Sequence, residues 1–237
     1  MIAKAVAAVF NHPAIQSGHP VEEWPLVAIL LSATGGYLDA FTWLGHGVLT
    51  TVQSGNILLF SVRLLSGQFD SALITIPPIL AFVVGVFVAN YLGYLAPEHS
   101  KRLSLIIEIV VLLAAIPMHM MPIGPTLLGT VGFCFASAVQ NTCFTRVEGW
   151  AYSSVMATRN LQVTTEGLLA TFMGSNPKAS RQAKVFGLIV LAFATGAAVS
   201  AYLTRAAGPI ALLVPVCLVT VSLVVCEVGR LYQVSAD

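Results

Sequence analysis

Apolar stretches of about 20 residues, the helical length needed to cross a bilayer, alternate along this chain with short polar joints. Six run at approximately 25–45, 76–96, 103–121, 125–145, 185–204 and 209–229. Their edges carry helix signals. Pro25, Pro125 and Pro209 suit first-turn positions, where the missing N–H costs nothing, and Pro77 and Pro78 sit equally near the start of the second stretch. Pro215 lies inside the last stretch, where a kink is expected. Two further stretches, 48–65 (VLTTVQSGNILLFSVRLL) and 151–172 (AYSSVMATRNLQVTTEGLLATF), are interrupted by polar, turn-prone residues, and the second holds Arg159 and Glu166. A charge at a lipid-exposed helix centre costs about 2.5–3.5 kcal/mol, so both are read as segments that dip into the membrane and return. Val48 to Val52 is rich in β-branched residues and expected to be extended, with Ser54 or Asn56 capping a short helix after it.

Composition agrees with this pattern. Hydrophobic residues make up 57% of the 237 and charged residues 9%, against roughly 25% charged in a soluble domain. Mean hydropathy is +0.87. A net charge of +1 with no basic stripe excludes nucleic acid as a partner and leaves the lipid bilayer as the first one. Positive charges set the orientation. With six spans and a cytoplasmic N-terminus, Lys4, Lys101, Arg102, Arg146, Lys178, Arg181, Lys184 and Arg230 face inward, Arg63 and Arg205 outward, and Arg159 stays within a dipping segment. If both doubtful stretches crossed fully, the split would fall from eight against two to six against four, and the positive-inside rule prefers the first. Residues 1–24 offer only a short apolar run, Ala5 to Phe10, too brief for a signal-peptide core; they are read as a cytoplasmic or interfacial lead-in.

The chain echoes itself. FVVGVFVANYLG (Phe82 to Gly93) and FATGAAVSAYLT (Phe193 to Thr204) share five of twelve positions. Both carry small residues four apart, at Gly85, Ala89 and Gly93 and at Ala192, Gly196 and Ser200, a spacing that lets helix backbones approach. Gln53-Ser54-Gly55-Asn56 has a counterpart in Ala157-Thr158-Arg159-Asn160, and Leu38-Asp39 corresponds to Gln140-Asn141. The expected fold is therefore an all-α membrane protein of six transmembrane helices plus two re-entrant segments. Residues 25–121 and 125–230 form two repeats within one integral membrane domain. Three crossings per repeat put the second upside down, which gives an inverted-topology repeat, a recurrent transporter plan.

Gly36-Tyr37-Leu38-Asp39-Ala40, Ser54-Gly55-Asn56 and Gln140-Asn141 together resemble the YoaK-type family of bacterial membrane proteins, over roughly residues 25–230. That family is catalogued as a domain of unknown function whose members are often labelled permeases. The family pattern has Thr-Gly-Asn where this chain has Ser54-Gly55-Asn56, and Thr-Gly where it has Thr158-Arg159, a charge in place of a glycine. The resemblance implies a multi-pass protein of the bacterial cytoplasmic (inner) membrane and supplies no substrate.

The polar residues offer chemistry of several kinds. A half-helix N-terminus at Ser54 and Asn56 would present free N–H groups to an anion. The mirrored Thr158, Arg159 and Asn160 add a guanidinium that binds oxyanions through paired hydrogen bonds. Against this, Asn56 and Asn160 can act as caps and Arg159 can pair with Glu166. Asp39 is an intramembrane carboxylate, a candidate to carry a coupling proton; the alternative is a hydrogen bond to Gln140 or Asn141 that locks the repeats together. Glu108 reads as a snorkelling partner of Lys101 or Arg102, and Glu227 and Arg230 as an interfacial pair. His46, near Trp43, and His119, among Met118, Met120 and Met121, read as structural. Cys134, Cys143, Cys217 and Cys226 match no zinc spacing and read as small buried hydrophobes. No metal or cofactor is expected.

These features point to a secondary transporter or permease for a small polar solute, anions included. Ser54, Asn56, Thr158, Arg159 and Asn160 would bind substrate, and Asp39, Gln140 and Asn141 would sit at the repeat interface. A non-transporting assembly factor or sensor, or a channel, stays open beside it. Gly-x-Ser-x-Gly, His-Glu-x-x-His and a nucleotide-binding loop are missing from the sequence, so an enzyme is not expected. A homodimer is one use for the small-residue stripes; packing within one chain is the other.

Overall fold

The computed structural model describes residues 19–121, 123–174 and 176–236. Most of the expected lead-in, residues 1–18, lies outside them. Among the described residues nine helices follow one another: α1 (Pro25–His46), α2 (Gln53–Leu65), α3 (Phe69–Leu73), α4 (Ile76–Leu95), α5 (Ser100–Met118), α6 (Ile123–Cys143), α7 (Ala157–Gly174), α8 (Pro177–Ala207) and α9 (Leu213–Ala236). A two-stranded hairpin, β1 (Arg146–Val147) with β2 (Trp150–Ala151), lies between α6 and α7. Turns of 3-10 helix at Val21–Glu23 and Gly208–Leu212 lead into α1 and α9.

The long helices fall on the six apolar stretches. α8 starts earlier than hydropathy indicates, because Asn176 caps it by accepting from the amides of Lys178 and Ala179. The kink expected at Pro215 does not arise. α9 begins at Leu213 after a 3-10 turn, so the proline falls in the first turn, where it removes no helical bond. The hairpin is an element that the hydropathy pattern does not predict. Glu148 and Gly149 both take positive φ, at 47° and 78°, the conformation of a tight two-residue turn.

Among the described residues three helical stretches are long and apolar enough to cross a membrane: Pro25–His46, Phe69–Leu95, and Pro177–Gln233, which contains α8 and most of α9. The distribution of side chains inverts that of a water-soluble protein. Leu65, Phe87 and Phe172 are exposed, whereas Asp39, Asn56, Glu108, Gln140 and Asn160 are buried. The chain is an all-α membrane protein.

α1 packs on α8 and α9, α6 packs on α4 and α5, and α9 closes against α5. Leu31, Leu38 and Phe41 of α1, Leu105 and Leu112 of α5, Phe133 of α6 and Val219 of α9 form the central apolar cluster. Glycines let the tightest crossings form. A Cβ at Gly36 would lie 2.0 Å from the Phe193 carbonyl oxygen, and one at Gly196 2.0 Å from that of Ala33. One at Gly85 would lie 2.5 Å from the Phe135 carbonyl oxygen. Both small-residue stripes thus pack within the chain, but Gly93, counted with the first, faces open space.

Charge collects at one end of the bundle. Arg230 binds Glu22 at 2.5 Å and reaches Glu227 at 3.6 Å, and Glu227 meets Arg102 at 3.5 Å, so the expected Glu227–Arg230 pair is part of a chain of four. At the same end Glu148 is bound by Arg181, and the hairpin amides of Glu148 and Gly149 donate to Glu23. The starts of α1, α5 and α8 and the ends of α6 and α9 are therefore together. At the other end, His119 stacks on Phe133, His46 meets Thr130 at 3.2 Å, and Trp43 is exposed.

Steric contact with a backbone oxygen cannot be relieved by a rotamer change, so Gly36→Ala and Gly196→Ala must push α1 and α8 apart. Each is expected to cost about 3 kcal/mol. Gly93→Ala should be neutral or stabilising by up to about 1 kcal/mol through helix propensity. Unfolding midpoints of the detergent-solubilised variants check the contrast.

Candidate functional site

Irregular backbone penetrates the bundle twice. The first loop follows α1. Residues 47–52 turn back from the C-terminal end of that helix, and the carboxylate of Asp39 receives the Thr51 amide at 2.7 Å and the Thr51 hydroxyl at 2.5 Å. Asp39 lies seven residues before His46, so the loop descends about 10 Å along α1. The Leu49 carbonyl there approaches the thiol of Cys134, near the middle of α6, at 3.8 Å. α2 then returns to where the loop began. Arg63 donates to the Gly47 carbonyl at 2.8 Å and to the Ser71 carbonyl at 3.1 Å.

The second loop follows α6. After the hairpin, Ser153 donates to the Oδ1 of Asn141 at 2.7 Å. Ser154 and Val155 lie against Gly35 at the middle of α1: a Cβ on that glycine would sit 3.3 Å from the Val155 side chain. α7 begins two residues later and runs back to the first turns of α8, where Gly167 faces Ala179 and Ala183.

Both loops are bonded alike. Asp39 and Thr51 are twelve residues apart, as are Asn141 and Ser153. Asn56 donates to the carbonyl of Leu49, seven residues back, and Asn160 to that of Ser153, also seven back. Neither expected cap forms at α2. Its N-cap is Val52, without a side-chain bond, and Asn56 instead commits its amide to the Leu49 N–H, the Leu49 carbonyl and Gln53. This asparagine fixes loop shape, because a buried backbone amide and carbonyl without water must be paired by protein.

The remaining candidates divide by exposure. Ser54, Thr158 and Arg159 lie on exposed faces, and Asn160 is buried with its Oδ1 unpartnered. Arg159 reaches Gln162 at 3.4 Å, and Gln162 passes the contact to Glu166 at 2.8 Å, so the pair expected between Arg159 and Glu166 is bridged by an amide. Asp39 bonds to Thr51, not to Gln140 or Asn141. Gln140 is fully buried, and both its amide atoms lack a hydrogen-bond partner.

Two further expectations are corrected. Glu108 does not snorkel to Lys101 or Arg102: it is fully buried with both carboxylate oxygens unpartnered, and Arg102 serves Glu227. Its spacing from the charged first turn conceals this, because distance along a helix does not say which face meets a neighbour. Cys217 is exposed, in place of the buried thiol expected there; Cys134 and Cys226 are buried and all four cysteines are free. Among the described residues no three His, Cys, Asp or Glu side chains group as a metal site.

Asp39 holds its loop by two bonds to an ionisable group, and Asn141 holds its own by one neutral bond. Asp39→Ala should therefore cost about 2–4 kcal/mol, and Asn141→Ala about 1 kcal/mol. Thermal unfolding of the two variants, compared with the parent, checks the order.

Nothing among curated proteins or solved structures matches the chain. A family described as "Protein of unknown function (DUF1275)" matches residues 27–225, a range that holds both penetrating loops and nearly all of the helices that support them. The chain belongs to the DUF1275 family, which also contains the YoaK-type proteins it resembles.

Proposed function

We propose that this chain is a secondary transporter, or permease, for a small polar solute. In this reading it sits in the bacterial inner membrane with both termini cytoplasmic, as six spans (α1, α4, α5, α6, α8 and α9) and two re-entrant segments. The observation that carries the reading is the pair of irregular loops brought to mid-depth on α1 and α6 and held there by polar side chains, buried at Asp39 and half-buried at Asn141. Irregular backbone at that depth needs a protein-lined or wet setting. Inverted repeats whose broken helices meet near the midplane are a transporter plan.

Matched offsets support the repeat. Ala33, opposite Gly196, precedes Asp39 by six residues, and Phe135, opposite Gly85, precedes Asn141 by six. The first span of each half thus offers a carbonyl, placed alike, to a glycine on the second span of the other half. The collection of Arg102, Arg181 and Arg230 at one end supports the orientation. Exposed Arg159, four residues past the mid-depth contact at Val155, supports a water-filled approach along α7, since bare lipid there would cost about 2.5–3.5 kcal/mol. Ser54, Thr158 and Arg159 are the residues this reading gives to the solute. Asn56 and Asn160 shape the loops beneath them, and Asp39, Gln140 and Asn141 lie where the halves meet. The reading assigns no catalytic chemistry and no cofactor.

The non-transporting alternative draws on one observation, the full commitment of Asn56 to its own loop. A thermal-shift screen of the purified protein against small metabolites and inorganic anions, followed by uptake into proteoliposomes, separates the two. A solute that stabilises the parent and enters the vesicles supports transport, and Arg159→Ala should weaken an anion about tenfold or more. Binding without uptake favours a sensor.

Topology is checked separately. In a cysteine-free background, Ser66→Cys should react with a membrane-impermeant maleimide added outside intact cells, and Glu98→Cys should not. Six spans require that pattern, and full crossing by 48–65 reverses it.

A further inference from the structure

We propose that Glu108 is the centre of a buried site for one monovalent cation, a proton or Na+, between α5 and α6. Ser104, Glu108, Val111 and Ala115 form one stripe of α5, spaced by four, three and four residues. That stripe faces α6. Gly129 meets Ala115, Gly132 meets Val111, and Cys143 lies beside Ser104. The antiparallel register puts Glu108 level with the turn of α6 around Ser137, one turn from Gln140.

All four polar side chains, Ser104, Glu108, Ser137 and Gln140, are at most 1% exposed. Both Glu108 oxygens, the Ser137 hydroxyl and both Gln140 amide atoms lack a hydrogen-bond partner, and the Ser104 hydroxyl lies against the Cys143 thiol. One unpartnered polar atom can be a local accident; a carboxylate and an amide, both buried and unpartnered on the facing stripes of α5 and α6, set a polar site into that seam. Its donors are hard oxygens carrying a single formal negative charge, a set that suits one positive charge and has too few carboxylates for a divalent ion. An ionised carboxylate so placed costs several kcal/mol unless a positive charge sits with it.

Among the described residues, the surrounding elements do not supply that charge. α5 has Lys101 and Arg102 in its first turn, Arg102 on Glu227, and His119 follows its far end, bonded to the Ala115 carbonyl. α6 offers Cys134 and Cys143. α1 offers Tyr37 and Asp39, bonded to Ala211 and Thr51, with His46 at its end. α9 offers Cys217 and Cys226, with Glu227 and Arg230 in the charged cluster and Tyr232 beyond; α4 has only exposed Tyr91 and Tyr94. The site is distinct from the loop anchors and does not depend on the transport reading.

The full chain in detergent tests it. If Na+ is the ligand, NaCl should raise the parent's Tm by about 5 °C over choline chloride of equal ionic strength. If the ligand is a proton, Na+ should be inert and acid should raise Tm, by mass action of the bound ligand. Either response should be lost or clearly reduced in Glu108→Gln and persist in Glu98→Gln, an exposed carboxylate away from the site. A parent indifferent to both, or a Glu108→Gln variant that responds like the parent, overturns the site. Should Glu108→Gln fail to fold, carbodiimide labelling of Glu108 in the parent, read by peptide mass spectrometry, decides. Labelling blocked by Na+ or increased by acid supports the site, and labelling that is absent or insensitive to both overturns it.

Discussion

Where water is excluded, each backbone N–H and C=O needs a partner within the protein, and this requirement governs the bundle. Helices meet it by themselves. The two loops that reach mid-depth do not, and each recruits the same kinds of side chain: an acceptor on the preceding helix, Asp39 or Asn141, and an asparagine in the following one, Asn56 or Asn160. The choice of Asp on one side and Asn on the other makes the two anchors unequal. Asp39 takes a backbone amide as well as a hydroxyl, and Asn141 only a hydroxyl.

The loops can reach the interior only because the helices beside them approach so closely. At Gly36 and Gly196 α1 and α8 touch backbone to backbone, and Gly35, one residue away, leaves room for Val155. Dispersion at such crossings replaces the hydrophobic drive that lipid removes. Among the described residues ion pairs are kept to one end of the bundle. The buried carboxyls of Asp39 and Glu108 are the exceptions: the first is satisfied by Thr51, and the second has no partner among the described residues.

Much of this organisation is legible in the sequence. Most helix limits follow the apolar runs, the early start of α8 and the late start of α9 apart, and the β-branched run at 48–52 stays out of helix. The echo between Phe82–Gly93 and Phe193–Thr204 singles out Gly85 and Gly196, both of which sit at crossings. Gly36 stands out only as part of a motif, because its contact with Phe193, far along the chain, leaves no local mark. The hairpin at 146–151 escapes a sequence reading, since Arg-Val-Glu-Gly-Trp-Ala has too short an alternation to register as strands. Glu108 misleads because its charged neighbours in sequence point elsewhere.

The sequence by itself determined that this chain is helical, belongs in a membrane and has its polar residues clustered at 39, 53–56, 140–141 and 157–160. Hydropathy and spacing are local properties, and the cost of exposing charge to lipid makes them decisive. Tertiary structure alone decided which polar atoms are paired. Burial depends on which helix face meets which neighbour, and only the packed bundle sets that. It committed Asn56 to its loop, left Arg159 exposed and placed Glu108 opposite α6 with Gln140 one turn away.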